Sequence, residues 1–180
     1  LALVLAVFAG CGAPKNENTS TQSTGGEVQK SSAAERSLRV FQPDELLSQA
    51  EAAELTGHPV TLKADSLRVD PETGRSMTYY EYDIPSGTLN AGLFLWQDSA
   101  AKKDIAEPWY ESDLSFVKTD QKPVSGLGDK AFYQPSNSQM HVLYSGIYFI
   151  VAFEDADSSK NESLNFKIAQ RVIDNINKKK

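Results

Sequence analysis

The chain has 180 residues, 40% of them hydrophobic and 23% charged, with a formal net charge of -6 and a single cysteine. That composition belongs to a folded globular protein rather than a disordered or membrane-embedded one, and the length fits one domain. A negative body argues against nucleic acid and against electrostatic adhesion to anionic lipid, and a lone thiol excludes an intrachain disulfide.

Residues Leu1 to Gly10 are apolar or small and uncharged, and every Lys and Arg lies beyond Cys11. Such a run is too short to cross a bilayer as a helix, which takes roughly 20 residues. It suits the apolar core of a secretory signal, whose basic n-region is expected to precede Leu1. Phe8-Ala9-Gly10-Cys11 resembles the lipobox at which signal peptidase II cleaves bacterial lipoproteins, with Phe8 where that pattern usually has Leu, Val or Ile. The resemblance implies acylation of Cys11 and attachment to membrane lipid on the extracytoplasmic face. Each buried CH₂ contributes roughly 0.8 kcal/mol and one chain holds only marginally, so the two or three chains of a lipoprotein would hold firmly.

From Gly12 to Ser37 the only large aliphatic residue is Val28 among Ser, Thr, Gly, Asn, Gln and Glu. This composition cannot offset the entropy of ordering and predicts a flexible tether. Residues 1–38 carry three acidic and three basic side chains, so the net charge falls on the body. The organisation expected is a leader over 1–10, a lipidated Cys and tether over 11–38, and one domain over 39–180.

Within the domain, a first helix is predicted from about Pro43 to Leu55, with Pro43 in its first turn, Leu46, Leu47, Ala50 and Ala53 on one face, and Gly57 before Pro59 as a stop. Two strands, Val60 to Val69 and Ser76 to Ile84, form a hairpin around Asp70-Pro71-Glu72-Thr73-Gly74. Thr88 to Gln97 follows as a central strand, with Leu89, Ala91, Leu93 and Leu95 on one side and Phe94 and Trp96 on the other. Asp98 or Ser99 caps a second helix through about Ala106, presenting Ala101 and Ile105 to the core until Pro108 ends or kinks it.

Four strands are then expected, at Leu114 to Thr119, Lys130 to Gln134, Gln139 to Tyr144 and Ile147 to Glu154, the last three a meander of hairpins. Ser159 and Glu162 form a capping box for a closing helix in which Leu164, Ile168, Ala169, Val172, Ile173 and Ile176 repeat at helical spacing. Lys178, Lys179 and Lys180 complement the dipole at its C-terminus. Mostly local hairpins give an α+β fold, an antiparallel sheet with helices packed mainly on one face. From Thr88 onward the order strand, helix, four strands, helix resembles the TATA-binding-protein-like (TBP-like) arrangement, with the Mog1/PsbP-like folds close to it. That likeness is topological and carries no DNA binding with it.

The stretch Val124-Ser125-Gly126-Leu127-Gly128-Asp129-Lys130-Ala131-Phe132, with the helix end Glu54-Leu55-Thr56-Gly57, resembles a motif of exported lipoproteins of Gram-positive bacteria, the DUF3558-like group. The resemblance covers residues 43–177, and members of that group often carry a cysteine pair where this chain has Cys11 alone. Gly126, Gly128 and Asp129 are therefore candidate ligand-facing residues, alongside the turn chemistry that Gly and Asp serve in any loop.

Tyr80 and Tyr82 share one face of their strand and are the aromatic candidates for ligand binding. Tyr79, Phe94, Trp96, Trp109 and Tyr110 could complete a groove for a glycan, peptide or hydrophobic ligand, while the same residues suit ordinary sheet packing. His58 lies in a turn, and His141 alternates with Met140 and Val142, which predicts a solvent-facing ring. Two histidines without ligand spacing point to no metal site and no cofactor, and no Gly-x-Ser-x-Gly elbow is present. Glu154, Asp155 and Asp157 lack the spacing of a calcium loop and read as helix-entry charge. The function expected is a non-catalytic binding or interaction domain held at the cell envelope, meeting an envelope protein or glycan; the alternative is a hydrolase of wall polymers.

Overall fold

The computed structural model describes residues 39–63, 69–70, 72–99 and 103–180. The expected leader and tether, residues 1–38, lie outside the described residues, as do positions 64–68 of the first predicted strand and Ala101. Among the described residues seven strands form one antiparallel sheet: β1 (Val60–Leu62), β2 (Arg75–Ile84), β3 (Gly87–Gln97), β4 (Lys122–Pro123), β5 (Lys130–Gln134), β6 (Gln139–Tyr144) and β7 (Ile147–Ala152). Four helices accompany them: α1 (Pro43–Leu46), α2 (Gln49–Thr56), α3 (Ala106–Phe116) and α4 (Asn161–Lys179). The class is α+β, as the sequence implies.

The strand order is β1-β2-β3-β7-β6-β5-β4. Two meanders, β1 to β3 and β4 to β7, each pair in sequence order and meet where β3 pairs β7, with Leu95 opposite Phe149 and Phe94 opposite Ile150. Tight turns set the registers. Ser145 and Gly146, both at positive φ (54° and 76°), join β6 to β7, the conformation that matches the twist of a two-residue hairpin.

The alternation of β3 divides the interior into two cores. On one side Ala91, Leu93 and Leu95 join Tyr80, Tyr82, Met140, Val142, Phe149 and Val151 beneath α1, α2 and α4. On the other, Trp96 joins Phe132, Leu143, Tyr148 and Ile150 beneath Ala106 and Tyr110 of α3. Among the described residues three helices thus share a face and α3 alone covers the opposite one. In β7 the residues from Ile147 to Val151 are all buried, as an apolar run covered on both faces requires.

Four predicted elements are corrected. The first helix is two, because Ser48 makes a capping box with Glu51: the Glu51 amide donates to the Ser48 hydroxyl and the Ser48 amide to the Glu51 carboxylate. The restart shifts the helical phase, so Leu46, Leu47 and Ala52 are buried while Ala50 is exposed. The second helix begins at Ala106, not at Asp98 or Ser99; Pro108 sits in its first turn, where no intrahelical amide is needed, and Asp98 accepts from the Ile105 amide. The strand expected over Leu114 to Thr119 is therefore the end of α3, and β4 is the short pair Lys122–Pro123. The closing helix starts at Asn161 without a side-chain cap, behind a 3₁₀ turn capped by Asp157.

Polar groups fasten α4. Asn165, wholly buried, accepts from the Phe153 amide and donates to carbonyls of Ser138, Phe153 and Asn161. Asn175 donates to the Leu46 carbonyl and to Glu51. Partial burial works to raise the Glu51 carboxyl, but bonds from Asn175, the Ser48 amide and hydroxyl, and Arg171 outweigh it and hold the group at about 2. Ser48→Ala removes the cap of α2 and one of these bonds, and is expected to cost about 1 kcal/mol, read as a fall in the urea midpoint at unchanged slope.

Candidate binding surface

Tyr80 and Tyr82 share a face of β2 as alternation implies, but that face is the main core. The Tyr80 hydroxyl donates to the Leu47 carbonyl, and the Tyr82 hydroxyl donates to the Glu154 carbonyl while accepting from the Glu154 amide. Burial, above all, raises both phenols from the ordinary tyrosine value. Trp96 and Tyr110 are buried as well. His58 is half-buried and stacks on Tyr82 with ring centroids 6.0 Å apart.

The glycine loop folds inward. Leu127 is buried in the main core between Gly126 (φ 77°) and Gly128 (φ 64°). A Cβ on Gly128 would lie 2.7 Å from the Leu143 carbonyl oxygen, whereas one on Gly126 meets nothing within 4 Å. The Asp129 amide donates to the Leu143 carbonyl, and its carboxylate accepts from the Ser145 amide. These contacts tie the loop to the β6–β7 hairpin. The structure brings Gly126, Gly128 and Asp129 together there and does not bring Tyr80 or Tyr82 to them.

His141 is 3% exposed rather than solvent-facing. Its alternation is as expected, but α3 covers the outer face of β6. The ring stacks on Phe132 at 4.2 Å between centroids, and its Nδ1 lies 2.7 Å from the Tyr148 hydroxyl, which donates to Asp113 Oδ2 of α3 at 2.5 Å. With its one proton given to Asp113, the hydroxyl accepts from Nδ1–H, which leaves the lone pair on Nε2. Nε2 is buried with no hydrogen-bond partner among the described residues. Burial lowers His141 from 6.5 to about 4, so the ring is neutral at pH 7.

The outer face away from α3 is more open. Met77, Tyr79 and Phe94 on β2 and β3 are only partly buried, and Tyr79 meets Phe94 edge to face at 5.8 Å. Trp109, 46% exposed, leans on Trp96 at 5.8 Å, and Phe116 is 90% exposed. Seven residues apart, Trp109 and Phe116 occupy the same side of α3 two turns apart, which is about 10 Å along the axis. The result is an aromatic strip running from β2 to the flank of α3. Phe116 was not among the sequence candidates because its segment reads as a strand. The signal for it is the helical spacing of Ala106, Tyr110, Leu114 and Val117.

On the opposite flank of α3 a cleft of about 680 Å³ is lined by Asp98, Asp104, Glu107, Glu111, Asp129 and Lys130 among others. Lys130 lies 2.8 Å from both Glu107 and Glu111. Near the last helix, Asp155 and Asp157 accept from amides of the turn that leads into it. Among the described residues no cluster of three or more His, Cys, Asp or Glu side chains is placed to hold a metal ion, and no helix is long and apolar enough to cross a membrane.

Compared with family models, curated proteins and solved structures, the chain finds no match in any of the three. For the glycine loop, Gly126→Ala is expected to cost about 1 kcal/mol for its left-handed backbone alone, and Gly128→Ala roughly 2–4 kcal/mol because the methyl also collides with Leu143. Urea unfolding of the two variants side by side measures the gap.

Proposed function

We propose that this chain is an exported lipoprotein whose acylated Cys11 holds a non-catalytic binding domain at the outer face of a membrane, and that the domain meets an envelope protein or glycan through its aromatic strip. The observation that carries the reading is the pair Trp109 and Phe116, exposed on one side of α3, with Trp109 against Trp96 of β3, the strand whose half-buried Phe94 meets Tyr79. Scattered apolar residues are normal on a surface, whereas aromatic side chains gathered together supply most of the affinity at binding sites. The lipobox-like Phe8-Ala9-Gly10-Cys11 supports the address, and an immobilised module gains effective concentration near its surface. The net charge of -6 disfavours nucleic acid as partner.

The second reading, hydrolysis of a wall polymer, draws on the carboxylates of the cleft. Four of the five already have a protein donor: Asp98 the Ile105 amide, Asp129 the Ser145 amide, and Glu107 and Glu111 the Lys130 ammonium. This arrangement suits a loop and helix junction better than a paired acid and base, which need room for substrate and water between them.

Phe116→Ala is expected to leave the thermal midpoint nearly unchanged, since truncating an exposed side chain costs within about 0.5 kcal/mol, whereas Trp109→Ala lowers it modestly because the indole packs against Trp96. Together they should weaken retention of the envelope component roughly 30-fold or more, as loss of an aromatic anchor does. Retention unchanged in the double variant, or turnover of a wall polymer by the wild-type protein, would overturn the reading. The address has its own check in the intact mass of the natural protein, which should show acyl chains on Cys11 as its first residue.

A further inference from the structure

Beneath α3, a polar chain of three side chains runs through an otherwise apolar interface, from Asp113 on the helix to Tyr148 on β7 and His141 on β6. We propose that Asp113, Tyr148 and His141 form an acid-sensitive latch that holds α3 on the sheet and frees the helix when His141 gains a proton. The inference rests on the reading of the aromatic strip, since α3 carries Trp109 and Phe116, and it adds a control to that surface.

The geometry explains the sensitivity. Nδ1 already carries the proton given to Tyr148, so a second proton must enter at Nε2. That atom is buried with no hydrogen-bond partner among the described residues, in a ring stacked against Phe132. A buried N–H without an acceptor, on a ring that also carries charge, is among the costliest groups to enclose.

The groups facing His141 are few. From α3, Asp113 Oδ2 lies 4.0 Å from Nδ1 and attracts an imidazolium. Its side chain is about one third exposed and already accepts from Tyr148, so solvent screening weakens that pull. Tyr148 from β7 and Tyr110 from α3 are raised above the ordinary tyrosine value, by burial first, and are uncharged. From β5 the ring of Phe132 is apolar, and Lys130 at the rim is turned to Glu107 and Glu111. Burial prevails, and His141 sits at about 4 in the closed state.

The sign follows from proton linkage. Above 6.5 the ring is neutral whether α3 is docked or not, and the latch is at full strength. As pH falls from 6.5 towards about 4, only the open form takes the proton and the docked state weakens; below about 4 both forms bind it and the loss levels off. Between pH 7.5 and 4.5 the opening equilibrium should rise about 70-fold.

Amide hydrogen exchange of the full chain, read by mass spectrometry at pH 7.5 and 4.5 and corrected for intrinsic exchange rates, tests this without any ligand. Support is a loss of protection of that order over residues 106–116 at pH 4.5, with residues 164–176 of α4 still protected. His141→Phe should abolish the pH difference, and Tyr148→Phe should loosen α3 at both pH values. The proposal falls if wild-type α3 is equally protected at both pH values, if α3 and α4 lose protection together, or if His141→Phe keeps the acid response. The wild-type measurement decides even if a variant fails to fold. Retention by the Trp109 and Phe116 variants at pH 7.5 is scored separately, so the latch and the binding surface fail independently.

Discussion

The pairing of β3 with β7 is the constraint from which the rest of the structure follows. It turns two local meanders into one sheet and makes their best apolar strands internal, so both faces near the join must be covered. On one face α1, α2 and α4 do this together. On the other, α3 is the only described helix at hand, because it lies in the connection between β3 and β4. A helix is about 10–12 Å across and strands are spaced about 4.8 Å apart, so one helix shields two or three strands of a seven-stranded sheet. Cover over β5 to β7 therefore leaves β2 and part of β3 open, and Tyr79 and Phe94 beside Trp109 are the visible result.

Elements governed by local periodicity were legible in the sequence. The closing helix, the two hairpins of the second meander and the two-faced pattern of β3 follow from apolar spacing and turn residues. The order strand, helix, four strands, helix from β3 onward is also as expected, with boundaries moved. The misreadings have local causes with a shared form. Ser48 interrupts an apolar pattern that spacing alone would run through, and Pro108 reads as a stop when it can equally stand in a first turn. Moving that one boundary converts Leu114 to Phe116 from strand to helix and brings Phe116 to the surface.

The candidate site was less legible, because alternation tells which residues share a face and not which face is covered. Tyr80 with Tyr82, and His141 between Met140 and Val142, were sorted correctly by side. Whether each side meets solvent depends on the distant partners that pack there: Leu47 and Glu154 for the tyrosines, Asp113 for the histidine. The loop from Gly126 to Asp129 is a milder case. Its residue types suit a ligand cradle and a tight turn equally, and only Leu127 in the core and the nearness of Gly128 to Leu143 distinguish the turn.

Both long helices are pinned by buried polar groups, yet the pins differ in kind. Under α4 the buried ones are chiefly the amides of Asn161, Asn165 and Asn175, which carry no charge at any pH, and Glu51, which Asn175 and Arg171 hold, is kept at about 2. Under α3 the pin joins a carboxylate, a phenol and an imidazole, and the imidazole changes state within the range of natural environments. An apolar group in place of His141 would remove the buried, unpartnered Nε2 while leaving the Tyr148 hydroxyl its bond to Asp113. The helix that closes the main core is thus fastened by groups indifferent to acid, and the helix that carries the exposed aromatic residues by a group that is not.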